Sequence, residues 1–187
     1  MLRFVPAVAA LLAMSGTTEA ANWPGFRGPT GDGISQETKL PLKWSATENV
    51  RWKTPLPEGG NSSPVVWGNR VFLTQAVDKG SRRLVMCFDR VNGKLLWQRE
   101  IRYAEKEPTH TDNPYCSATP VTDGTRVIAS LGSAGLVCYD YSGKELWRHD
   151  VGKLEHIWGN ASSPILYGNL CIQWCSPGPR QFLLAVD

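Results

Sequence analysis

One phrase is written twice in this chain. CFDRVNGKLLW spans residues 87–97 and CYDYSGKELW spans 138–147, so two tryptophans in the same setting stand 50 residues apart. The upstream stretches match as well: SSPVVWGNRVFLT from Ser62, SATPVTDGTRVIAS from Ser117 and SSPILYGNLCIQW from Ser162. Pro64, Pro120 and Pro164 align, as do Gly68, Gly124 and Gly168, and the comparison closes on Asp89, Asp140 and Asp187. A repeat of about 50 residues constrains the fold more than composition does. Each unit must be one supersecondary structure that buries its faces against its neighbours.

Within a unit the pattern predicts four short strands. SPVVW is followed by a GN or DG turn, then RVFLT, then LVMCFD, then KLLWQRE. The turns VNGK and YSGK are hairpin signals. The prolines fall near strand starts, where a missing N–H is tolerated. Four antiparallel strands at this period predict an all-β chain of β-propeller blades. Blade one is placed at about 61–100, blade two at about 116–150 and a partial blade three at 161–187. Residues 21–49 form a lead segment, and NVRWKTPLP supplies a latch strand at about 50–56. Two and a half units do not close a ring, so the reading expects an incomplete ring and a longer parent chain.

The first 20 residues, with Arg3 ahead of an apolar run from Phe4 to Met14 and small residues at the end, read as a signal peptide cleaved after Ala20. Export to the periplasm or cell envelope follows, or secretion beyond it, with no membrane span in the mature chain. The net charge of +3 favours solubility, and no basic tract with interleaved aromatics points to nucleic acid. Three of the five cysteines occupy repeat positions that want small apolar residues: Cys87 and Cys138 align with Ala185, and Cys171 with Val71 and Val127. Cys116 and Cys175 do not, which leaves a bridge between them open.

FDRVNGKLLW and YDYSGKELW resemble the apolar-Asp-x-x-Thr-Gly-Lys-x-x-Trp strand pair of the pyrroloquinoline-quinone-like (PQQ-like) β-propeller repeat family. Asn92 and Ser142 stand where that family usually has Thr. The lead NWPGFRGPTGDGIS resembles the start of exported planctomycete-type members. BamB-like envelope scaffolds and quinoprotein alcohol dehydrogenases share the fold. The resemblance gives Asp89, Gly93, Asp140 and Gly143 the tight turn. It gives Trp97 and Trp147 a structural role, packing on the glycine turn of a neighbouring blade, and Trp52 the same role in the latch. Trp67 is left without an assigned contact.

Strand order sends the tight turns to one face, and the two–three loops and blade-to-blade crossings to the other. The crossings at 99–116 and 148–161, helped by 75–83 and 174–181, carry the varied polar groups. The candidate binding face is therefore Arg102, His110, Asp112, Asn113, Tyr115, His156, Trp158 and Asn160. Each histidine alone also reads as an ordinary loop brace. No catalytic set and no metal ligands are assigned. The expected function is an exported scaffold or binding module, with envelope proteins or another ligand as partner and no cofactor. The alternatives are a PQQ- and calcium-dependent alcohol dehydrogenase with its ligands in further blades, and the sensor part of a larger protein. For the former, Trp158 and Asn160 are the nearest local imitators of a stacking group and an oxygen ligand.

Overall fold

The computed structural model describes residues 21–187 apart from Pro177; the leader and its cleavage point lie outside the described residues. Strands β1 (Val65–Trp67), β2 (Arg70–Val77), β3 (Arg82–Asp89) and β4 (Leu95–Arg102) form an antiparallel meander. A second meander follows: β5 (Val121–Thr122), β6 (Arg126–Ser130), β7 (Leu136–Asp140) and β8 (Glu145–His149), with a short 3-10 turn at Gly132–Ala134 between β6 and β7. β9 (Ile165–Tyr167), β10 (Leu170–Cys175) and β11 (Phe182–Val186) make a third sheet. The chain is all-β, built as propeller blades, and the ring is not closed within it.

The repeat is visible at atomic level. The third strand of blades one and two bulges at the same place, between Cys87 and Phe88 and between Cys138 and Tyr139. Each following turn is capped by its aspartate. Asp89 Oδ1 accepts the Val91 and Asn92 N–H groups at 2.8 and 3.0 Å, and Asp140 Oδ1 accepts those of Ser142 and Lys144 at 2.8 and 2.9 Å. The Ser142 hydroxyl bond, followed by the Lys144 N–H, holds the Asp140 carboxyl below its ordinary value.

The signature tryptophans join blades. Trp97, 7% exposed on β4, lies over Gly143 and donates from Nε1 to the Tyr141 carbonyl at 3.3 Å. Gly143 has φ 87°, and a Cβ there would stand 2.7 Å from Trp97 Cδ2, so glycine is required both by conformation and by space. Trp97 also stacks with Phe72 and Tyr139, each centroid 5.9 Å away, inside the apolar layer between blades one and two. Trp52 repeats the contact on Gly93, its Nε1 donating to Arg90 O at 2.9 Å while Thr54 Oγ1 donates to Gly93 O at 2.7 Å. Residues 50–56 thus hold the docking position of an outer strand, but among the described residues they form no ladder. Trp67, which the repeat left unassigned, packs on Gly124 of the next blade's first turn.

Two further differences from the sequence reading bear on the site. The stretch 75–83 is not an elaborated loop. β2 and β3 run on through it, leaving a turn at Asp78–Ser81 with Asp78, Lys79 and Gly80 at positive φ. The lead segment also packs on the inner edge of the blades. Trp23 and Val66 exchange both backbone hydrogen bonds at 2.8 Å, Thr122 N–H donates to Pro24 O at 2.9 Å, and Gly68 N–H donates to Asn22 Oδ1 at 2.8 Å. It is pinned to the innermost strands of both complete blades.

All five cysteines are free and buried. Cys116 belongs to the layer between blades one and two, and Cys175 to the layer between blades two and three, which separates the pair that sequence left open to bridging. Burial pushes Cys87, Cys116 and Cys138 up to about 12 and Cys171 up to about 11, from an ordinary 9.0, and raises Cys175 as well. Unfolded thiols then release protons at lower pH than folded ones. Stability from this source is complete below about pH 9 and is lost as the pH rises toward 12. We expect a chromogenic disulfide reagent at pH 8 to label none of the five until denaturant is added. Rapid labelling of the native protein would contradict the burial.

Candidate functional site

Both crossings are tied down by the same four-residue turn. In the first, Asn113 N–H donates to the His110 carbonyl at 3.0 Å, and Asp112 N–H donates to His110 Nδ1 at 3.2 Å. In the second, Gly159 N–H donates to the His156 carbonyl at 2.8 Å, and Trp158 N–H donates to His156 Nδ1 at 3.2 Å. Each imidazole accepts through Nδ1, so the ring proton of the neutral form sits on Nε2. The histidines brace turns, as an Asx side chain does.

The two turns are packed on each other. The His110 and Trp158 rings lie 4.5 Å apart, and Asn113 Nδ2 donates to the Trp158 carbonyl. Gly159 has φ 74°, and a Cβ there would come within 2.9 Å of Thr109 Oγ1. Asn61, ahead of blade one, donates from Nδ2 to Asp112 O at 2.7 Å. Segments preceding all three sheets therefore meet at one rim. The rim presents Trp158 at 55% exposure and Ile157 at 68%, beside the Asp112 carboxylate, which is open to solvent.

Of the candidate residues, His110, Asp112, Asn113, His156 and Trp158 come together here. Three do not. Arg102 ends β4 and pairs with Glu100 at 3.1 Å, in a surface network with Arg82 and Asp78. Tyr115 turns inward over Gly80, its hydroxyl donating to Glu107 O at 2.7 Å. Asn160 also turns inward, its Nδ2 donating to Leu154 O at 3.4 Å.

Behind Tyr115 lies a pair the sequence reading missed. Arg83 and Glu107 are 1% and 3% exposed and meet at 2.9 Å. Arg83 also donates to Gly80 O at 2.5 Å and to Leu131 O at 3.3 Å, and its guanidinium lies 4.3 Å from the Tyr115 ring centroid. Glu107 Oε2 accepts the Ser133 N–H of blade two at 3.1 Å. The signal was present in the alternation of β3: Arg83, Val85 and Cys87 share one face, and the last two are core residues. A charge on that face needs a buried partner.

The described residues do not fit a quinone with its calcium ion. Trp158 stacks on His110 at the outer rim, whereas Asn160 faces the interior, so the two imitators do not share a site. Among the described residues, no three His, Cys, Asp or Glu side chains are placed to hold a metal. On the inner-strand side an open cleft of about 910 Å³ is lined by the lead segment and β5 and β9. Its Thr119 and Ser163 hydroxyls already accept backbone N–H groups, from Ser63 at 3.1 Å and Thr119 at 2.9 Å.

A family described as outer membrane protein assembly factor BamB matches residues 36–173. Among solved structures, a europium-containing methanol dehydrogenase superposes with a TM-score of 0.51 at 15% identity, over 69% of this chain and 23% of that one. The quinohemoprotein alcohol dehydrogenase ADHIIG from Pseudomonas putida HK5 gives 0.49 at 17% identity, over 73% and 20%. BamB from Moraxella catarrhalis gives 0.35 at 13%, over 60% and 39%. At 15% identity the likeness to the methanol dehydrogenase speaks to fold alone, and the chain spans about a quarter of that protein's length. No curated protein matches.

Proposed function

Because the chain belongs to the family described as outer membrane protein assembly factor BamB, we propose that it is a scaffold holding an envelope protein on the rim of the His110–Asn113 and His156–Gly159 turns. The family match supports this reading of an exported β-propeller scaffold or binding module of the cell envelope. Among the described residues no helix is long and apolar enough to cross a membrane.

The observation that carries the rim is its combination of fixed backbone and exposed apolar surface. Interfaces favour aromatic anchors held rigid before binding, since less ordering is then paid for on association. Trp158 is such an anchor: its carbonyl is held by Asn113, its N–H by His156 and its ring by His110. The opposite face offers mainly tight turns, such as those at Gly68, Gly124 and Gly168.

Binding of solubilised envelope proteins to the immobilised protein tests the reading. Trp158→Ala, Ile157→Ser and Asp112→Ala together are expected to reduce capture about tenfold or more, as loss of a central aromatic does, with little change in the melting curve. Asn69→Ala, Thr125→Ala and Asn169→Ala, on the turn face, are expected to leave capture intact. Loss of capture from the second set would place the working surface on the other side.

A further inference from the structure

Blades two and three meet over a small cavity lined by residues that include Ser130, Gly132, Leu154, Asn160, Gln173 and Ser176. Two lining side chains have an unanswered acceptor. Gln173, 3% exposed, donates from Nε2 to Ser162 O at 3.1 Å and to Trp174 O at 2.8 Å, and its Oε1 finds no protein donor. Asn160 donates from Nδ2 to Leu154 O at 3.4 Å, and its Oδ1 is likewise buried without a protein donor. Neither amide can be turned over to cure this. Turning Gln173 would set Oε1 against two carbonyl oxygens, and turning Asn160 would set Oδ1 against one. Buried acceptors are nearly always paired, and two in one cavity ask for a shared donor.

We propose that this cavity is a binding site for one water molecule, which donates one hydrogen bond to Gln173 Oε1 and the other to Asn160 Oδ1. Ser130 and Ser176 line the same space, and a serine hydroxyl can donate to the water's lone pairs. The free volume of about 10 Å³ is at the lower limit of what a single water needs, and it excludes a larger ligand. A monovalent cation would also answer two amide oxygens, but no carboxylate lines the cavity to balance its charge. The water ties β10 to the second crossing two residues beyond Trp158. It also explains why Asn160 faces away from the rim.

A crystal structure of the protein at a resolution that orders waters tests this, with a second data set from crystals soaked in rubidium. One peak about 2.7–3.2 Å from both oxygens, without anomalous signal from rubidium, is the expected result. A rubidium peak would make the site a cation site and overturn the proposal. So would an empty cavity, or an Asn160 side chain turned to solvent. In Gln173→Met the peak is expected to be lost while the blades keep their places. A peak retained at full occupancy in that variant would also overturn it.

Discussion

Glu107→Ala is expected to lower stability by about 3–5 kcal/mol, the range for breaking one half of a buried ion pair. The cause is what remains: an Arg83 guanidinium 1% exposed, with carbonyls, two tyrosine rings and the Cys116 thiol around it but no counter-charge. The variant also strands the Ser133 N–H, so blade two loses one of its ties to the first crossing. Denaturant unfolding measures the loss. Removing both charges, in Arg83→Met with Glu107→Leu, is expected to recover part of it, because an apolar pair of similar volume has no charge to desolvate. A loss below about 1 kcal/mol for Glu107→Ala, typical of an exposed bridge, would show that the pair is hydrated and not part of the core.

Trp97→Ala is the other large effect, also about 3–5 kcal/mol by the measure of buried aromatic truncations. It empties the space between Phe72, Tyr139 and Gly143. Gly143→Ala is expected to be destabilising alone and milder in the Trp97→Ala background, since its Cβ would collide with the indole. Its φ of 87° keeps some cost in both. Strict additivity at Gly143 would contradict the docking picture.

The contact of Trp97 with Gly143 shows how far the sequence could be read. Trp97 and Gly143 were legible together because the repeat holds each in a fixed register and the family resemblance docks that tryptophan on a neighbouring blade's glycine turn. The strands themselves were legible for the same reason, through Asn-Gly, Asp-Gly and Ser-Gly turns at regular spacing. What failed was whatever needed distance. Trp67 meets Gly124, Arg83 meets Glu107, and Trp23 pairs with Val66, each across a separation no local pattern encodes. Loop length failed at 75–83, because Gln75 and Arg83 are polar residues buried on paired strands, and buried polar side chains look like loop residues in a sequence. At the rim, His110 and His156 were visible as matching positions. Their work as Nδ1 acceptors for the backbone two residues on depends on a turn geometry that the sequence does not spell out. Tyr115 and Asn160 stand in the right segments but turn inward, a choice decided by Glu107 O and Leu154 O.

The central claim is that this scaffold works from its crossing face. Photocrosslinking in intact envelopes tests it most directly, with a benzophenone side chain placed at Ile157 in one variant and at Asn169 in another. Ile157 is exposed beside Trp158 on the rim, and Asn169 is exposed on a tight turn of the opposite face. The account predicts a discrete light-dependent adduct with an envelope protein from position 157 and none from position 169. An adduct from 169 with none from 157 would contradict it.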